Sequence, residues 1–113
     1  MCSNDPALLP LYLADARDRL GSLKAAVDVL RQAPADRAAW DTLRGAAHAL
    51  AGNSAMMGFT ATADTARAIE QLAMAVEREG LGTPDDVGLA DLGFLALGRQ
   101  LERMMFAEDG QTP

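Results

Sequence analysis

The sequence predicts an all-α protein, an antiparallel up-down-up-down four-helix bundle, on three observations. Apolar residues recur at alternating spacings of three and four in four successive segments, which is the period of one helical face. They are mainly Ala, Leu, Met and Val, with few aromatics and no run alternating at period two, so a sheet has no source. The segments are of similar length and joined by connections of a few residues, which favours antiparallel neighbours. The whole chain, 1–113, is expected to form one domain, since 113 residues, half of them hydrophobic, suffice for one continuous core.

The first helix is expected over roughly 6–32. Leu13, Ala16, Leu20, Leu23, Val27 and Leu30 fall on one face, while Asp15, Asp18, Lys24 and Asp28 occupy others. It begins near Asp5-Pro6 or is kinked at Pro10, and it stops before Pro34, because proline disfavours helical geometry in the residue before it. The second, roughly 36–57, repeats the rhythm through Trp40, Leu43, Ala47, Leu50, Ser54 and Met57, and Gly58 ends it with a left-handed cap. The third, roughly 60–79, is expected to take Thr60 as N-cap and to turn Ala66, Ile69, Leu72, Ala73 and Val76 inward before Gly80. The fourth, roughly 84–107, opens with Thr83-Pro84-Asp85-Asp86, a capping residue, a proline and two acids suited to the positive dipole end. Val87, Ala90, Phe94, Leu97, Leu101 and Met104 continue the pattern. Gly88, Gly93 and Gly98 each cost about 1 kcal/mol relative to alanine, so this helix is expected to be the softest.

Composition removes several classes of function. A net charge of −6 and a single lysine, Lys24, argue against nucleic-acid binding, which needs clustered cations to neutralise phosphates. A single cysteine, Cys2, cannot form an intrachain disulfide and is expected to be a frayed surface thiol. No apolar stretch approaches the roughly 18 residues of a membrane span, and no charged n-region precedes an apolar core, so a cytoplasmic location is expected; a monomer is expected as well. The terminal EDGQTP is expected to be loose.

The stretch GAAHALAGNSAMMG, residues 45 to 58, holds the sole histidine, His48, among glycine and alanine. Ala47 lies on the buried seam and one residue is a 100° step, so His48 falls at the border of core and solvent. Gly45, Ala51, Gly52 and Ala55 around it form a shallow strip, which covers no core but lets another backbone come close. A histidine that merely caps the core fits the same position. Antiparallel packing adds a second point. If helices two and three turn at Gly58-Phe59, residues whose numbers sum to roughly 118 lie at similar height. His48 is then level with Glu70, and Ala51 with Arg67. A carboxylate on one ring nitrogen fixes the tautomer and leaves the other nitrogen as a nucleophile, as a phosphoryl acceptor requires. Glu70 as an ordinary solvated acid remains the alternative.

The segment RGAAHALAGNSAMMGF resembles the signature of histidine-containing phosphotransfer domains, closest to the chemotaxis-kinase type. In that type the histidine lies near the middle of the second helix, a Gly-Phe pair ends that helix, and a glutamate occupies the position of Glu70; the likeness runs from about Leu11 to Gly80. The resemblance implies a four-helix bundle in which His48 takes a phosphoryl group on Nε2 and exchanges it with the aspartate of a response-regulator receiver domain. It also implies a sensor histidine kinase elsewhere and Mg²⁺ supplied by the receiver rather than a cofactor of this chain.

Two departures stand out: the family usually has lysine where Ala51 stands, and its chemotaxis type commonly has arginine where Gly45 stands. Losing a cation beside a phosphate weakens transfer unless another substitutes. Arg44, one turn before His48, and Arg67, level with position 51, are the candidates, and each is otherwise a solvated surface arginine. A docking face would include Arg37, Asp41, Gly45, Ala51, Gly52, Ala55 and Met56, with Arg37, Arg44 and Arg67 making it locally positive against an acidic receiver. No GxxxxGK[ST] or GxGxxG loop is present to bind nucleotide, and no HExxH, Glu-x-x-His pair or cysteine cluster to bind metal. Three functions therefore compete: an active phosphocarrier without kinase activity, a non-catalytic relative that binds or inhibits a receiver or kinase, and a helical adaptor or dimerisation module in which His48 is incidental.

Overall fold

In a computed structural model, which describes residues 7–110 and the side chains of 7–106, four α-helices follow one another. They are α1 (Leu8–Gln32), α2 (Arg37–Met56), α3 (Thr60–Glu79) and α4 (Pro84–Gly110). Each packs against its neighbours in sequence, α4 closes on α1, and the diagonal pairs α1/α3 and α2/α4 do not meet. The result is an all-α four-helix bundle with α2 and α4 on opposite corners. Cys2 and the start expected near residue 6 lie outside the described residues.

Local chemistry sets the boundaries. Pro10 sits in the first turn of α1, where its missing amide has no intrahelical partner to lose, and the helix runs through it without a break. Asp36 caps α2, its Oδ1 accepting the Ala39 amide at 3.0 Å. The α2 C-terminus closes as a Schellman turn: the Phe59 amide donates to the Ser54 carbonyl at 2.9 Å and the Gly58 amide to the Ala55 carbonyl at 3.0 Å. Gly58 takes φ +81°, which only glycine adopts cheaply. The capping expectation for α3 is corrected: Phe59 is its N-cap and Thr60 its first residue, because the tight turn leaves no extended residue at position 60. α4 opens with a reciprocal capping box, in which the Asp86 amide donates to Thr83 Oγ1 at 3.2 Å and the Thr83 amide to Asp86 Oδ2 at 3.0 Å. It continues to Gly110, three residues past the expected end and into EDGQTP, since neither proline nor glycine intervenes.

The core is built from the expected faces. Leu13, Leu23, Leu30, Leu43, Leu50, Leu97 and Leu101 are buried, with small Ala16, Ala47, Ala66, Ala73 and Ala90 letting the helices approach. Leu20, Leu72, Phe94 and Met104 pack on its margin. Two polar fasteners orient the bundle. At one end Tyr12 and Ser54 share a 2.7 Å hydrogen bond and the Tyr12 ring tilts against Phe59, with centroids 5.1 Å apart. At the other, Trp40 Nε1 donates to the Pro34 carbonyl at 2.7 Å, and Gly82 lies flat against both groups. Burial pushes the Tyr12 phenol above its usual value, an effect partly offset by the Ser54 hydrogen bond.

Candidate functional site

Residues spaced by four, three and four on α2 share one face: Arg37, Asp41, Arg44 and His48. On α3 the same logic aligns Glu70, Met74, Glu77 and Arg78. Because α2 and α3 pack side by side, Arg37, Arg44 and His48 from the one and Glu70, Met74, Glu77 and Arg78 from the other line a shallow groove of about 540 Å³. His48 stands in the groove beside Glu70.

The central contact joins His48 Nδ1 to Glu70 Oε2 at 2.6 Å. The imidazole is 74% exposed and the carboxylate 17%, so a sheltered acid holds an open ring. An ionised carboxylate can only accept, so Nδ1 carries the proton and Nε2 the lone pair. Nε2 makes no hydrogen bond among the described residues. The hydrogen bond thus fixes the tautomer and orientation of the exposed neutral ring.

Arg44 is anchored one turn below. Its Nη2 donates to Asp41 Oδ1 at 2.5 Å and its Nε to Glu77 Oε1 at 3.1 Å, and these acids hold the guanidinium above its already high value. A fork fixed on two sides keeps its charge and its place in the groove. Arg37 and Arg78 also line the groove, and neither forms an ion pair among the described residues. Gly45, Gly52, Ala55 and Met56 are exposed on the α2 face around His48. A Cβ built on Gly45 or Gly52 meets nothing within 4 Å, so the packing of this chain does not require glycine at either position.

Two expected placements are corrected. Ala51 is not part of the exposed strip but 4% exposed, inside the core. The buried arc of α2 takes in Ala46, Ala47, Leu50, Ala51 and Ser54, because both α1 and α3 press on this helix. Arg67 is level with position 51 but points away: it is half exposed, paired with Asp64 on its own helix at 3.2 Å, and absent from the groove. Glu77 and Arg78 were not anticipated, although their spacing of seven and eight from Glu70 placed them on its face.

A family model described as Hpt domain matches residues 7–107, nearly all of the chain. The chain belongs to the Hpt domain family. No curated protein and no solved structure matches the sequence. Hpt domains carry phosphoryl groups on histidine in phosphorelays and are carriers rather than kinases. His48 is the only histidine in the sequence. Among its described residues no helix is long and apolar enough to cross a membrane, and no group of His, Cys, Asp or Glu side chains could hold a metal ion.

Proposed function

We propose that His48 is the phosphoryl carrier and that its partner is a response-regulator receiver domain, charged in turn by a sensor histidine kinase in the cytoplasm. The observation that carries this is the 2.6 Å bond from Nδ1 to Glu70, which leaves Nε2 as a lone-pair nucleophile on an exposed ring. In transfer from the receiver, Nε2 attacks the phosphorus of the aspartyl phosphate in line. The N–P bond forms, the O–P bond breaks, and the receiver aspartate leaves as a carboxylate. The Nδ1 proton stays in place, and its hydrogen bond to Glu70 strengthens as the ring becomes cationic. Transfer onward is the reverse.

The partner supplies Mg²⁺, and this chain supplies position and charge. Arg44 stands in for the absent lysine: it is the cation nearest His48 along α2 and its acids hold it in the groove. The bare backbone at Gly45 and Gly52 has no internal use, and each glycine costs the helix about 1 kcal/mol relative to alanine. A second protein seated over His48 gives that cost a function.

Incubation with a receiver phosphorylated on its aspartate tests the proposal. Label should pass to the wild type as an acid-labile phosphohistidine and be absent from His48→Gln. Receiver binding with no label on the wild type would instead make the chain a non-catalytic relative.

A further inference from the structure

The face of α4 that points away from the bundle is a second functional surface, and we propose that two copies of this chain dimerise through it, in place of the monomer expected from the sequence. Leu89, Leu92 and Leu95 are 56%, 66% and 47% exposed, Phe106 is 81% exposed, and Leu81 just before the helix is 68% exposed. At about 100° per residue the three leucines sweep an arc of about 120° centred on Leu92, opposite the buried Ala90, Leu97 and Leu101. Leu89, Leu92 and Leu95 form one exposed apolar patch, separated from Phe106 by Arg99 and Arg103, and exposed apolar patches on soluble proteins mark interaction sites.

Charge selects the occupant. Asp85 lies on the stripe near the N-terminus of α4, and Arg99 and Arg103 lie on it towards the C-terminus, each within about 20° of Leu92 around the axis. None of the three forms an ion pair among the described residues. An acid at one end and bases at the other are self-complementary when two such helices run antiparallel, the arrangement of an isologous two-fold interface. With the axis between residues 93 and 94, Leu92 lies opposite Leu95 of the second copy. Asp85 comes within one residue of the height of Arg103. Every contact occurs twice. Glu102 on the flank brings the face to zero net charge with Asp85, Arg99 and Arg103, so the overall −6 is not concentrated where the copies meet.

Within α4 the face from Asp85 to Phe106 rises about 32 Å. Since α4 does not touch α2, such a dimer leaves the two His48 side chains on opposite outer sides, both open to partners.

Sedimentation across micromolar to near-millimolar concentrations reads the outcome. The wild type should be a dimer and Leu92→Glu a monomer. A loss of about tenfold in affinity per buried leucine, counted twice by symmetry, makes the dissociation constant about a hundredfold weaker. Asp85→Arg and Arg103→Asp should each weaken the dimer, and the double exchange should restore it. Far-ultraviolet circular dichroism should be unchanged in all of them, because these side chains are exposed, and phosphoryl acceptance by His48 in Leu92→Glu should match the wild type. A wild type that stays monomeric throughout, a dimer indifferent to Leu92→Glu, or a double exchange that fails to restore association would each overturn the proposal. So would capture of a different protein by this face with no self-association.

Discussion

Replacing Glu70 by alanine removes the acceptor that holds Nδ1–H. A charge-assisted hydrogen bond contributes about 1.5–3 kcal/mol. The sheltered carboxylate, 17% exposed, argues for the upper part of that range, and the imidazole, 74% exposed, for the lower. Only the part that grows as the ring becomes cationic affects the rate, and setting it at about 1.4 kcal/mol gives a tenfold slower transfer. Single-turnover transfer from a labelled phosphoreceiver measures this, with Glu70→Gln expected between alanine and wild type because an amide oxygen still accepts. A second readout separates orientation from general damage. The chain has one histidine, so its nitrogen-15 ring resonances report the tautomer without overlap. In the wild type the neutral ring should carry its proton on Nδ1; in Glu70→Ala the proton should move largely to Nε2, the preference of free imidazole. A Glu70→Ala variant with unchanged rate and unchanged tautomer would refute the role assigned to Glu70.

Three further outcomes follow from the geometry. Arg44→Ala should slow transfer several-fold while Arg67→Ala leaves it unchanged, because only Arg44 lines the groove; equal effects in the same transfer assay would remove Arg44 as the substitute cation. Gly82→Ala should destabilise the fold by about 1–3 kcal/mol through overpacking, because the added Cβ would clash with both the Pro34 carbonyl and Trp40 Nε1. Denaturant titration followed by the fluorescence of the sole tryptophan, Trp40, gives that number. Absorbance at about 295 nm reads the only tyrosine, and its midpoint should lie above the ordinary value of about 10. The folded phenol loses its proton later than the unfolded one, so stability is intact below that pH and falls as pH rises past it. A midpoint at or below 10 would show that Tyr12 is not buried against Ser54.

Much of this molecule could be read from spacing alone. The faces of all four helices, the Gly58 turn and the level of Glu70 with His48 required only a period and a rise per residue. What the sequence concealed was azimuth. Counting from the turn sets the height of Arg67 opposite position 51 but not the direction in which it leaves α3. A seam drawn through Leu43, Ala47, Leu50 and Ser54 was too narrow, since a helix pressed by two neighbours buries a wider arc and takes Ala51 with it. The three-arginine groove was half visible: Arg37 and Arg44 stood near His48 in sequence, whereas Arg78 arrives from thirty residues away and only the packing of α3 on α2 brings it there.

The three-residue bend between α2 and α3 also acts as a gauge. Ten positions separate His48 from Gly58 and eleven separate Phe59 from Glu70, both counted along stiff rods. Inserting one amino acid into either rod would turn the far partner by about 100° and lift it about 1.5 Å, parting imidazole from carboxylate at once. The connections on either side, at residues 33–36 and 80–83, carry no such constraint from the dyad. Their lengths answer instead to the Asp36 and Thr83 caps and to the contact of Gly82 with Pro34 and Trp40, while the hairpin that bears His48 must keep its count for the dyad.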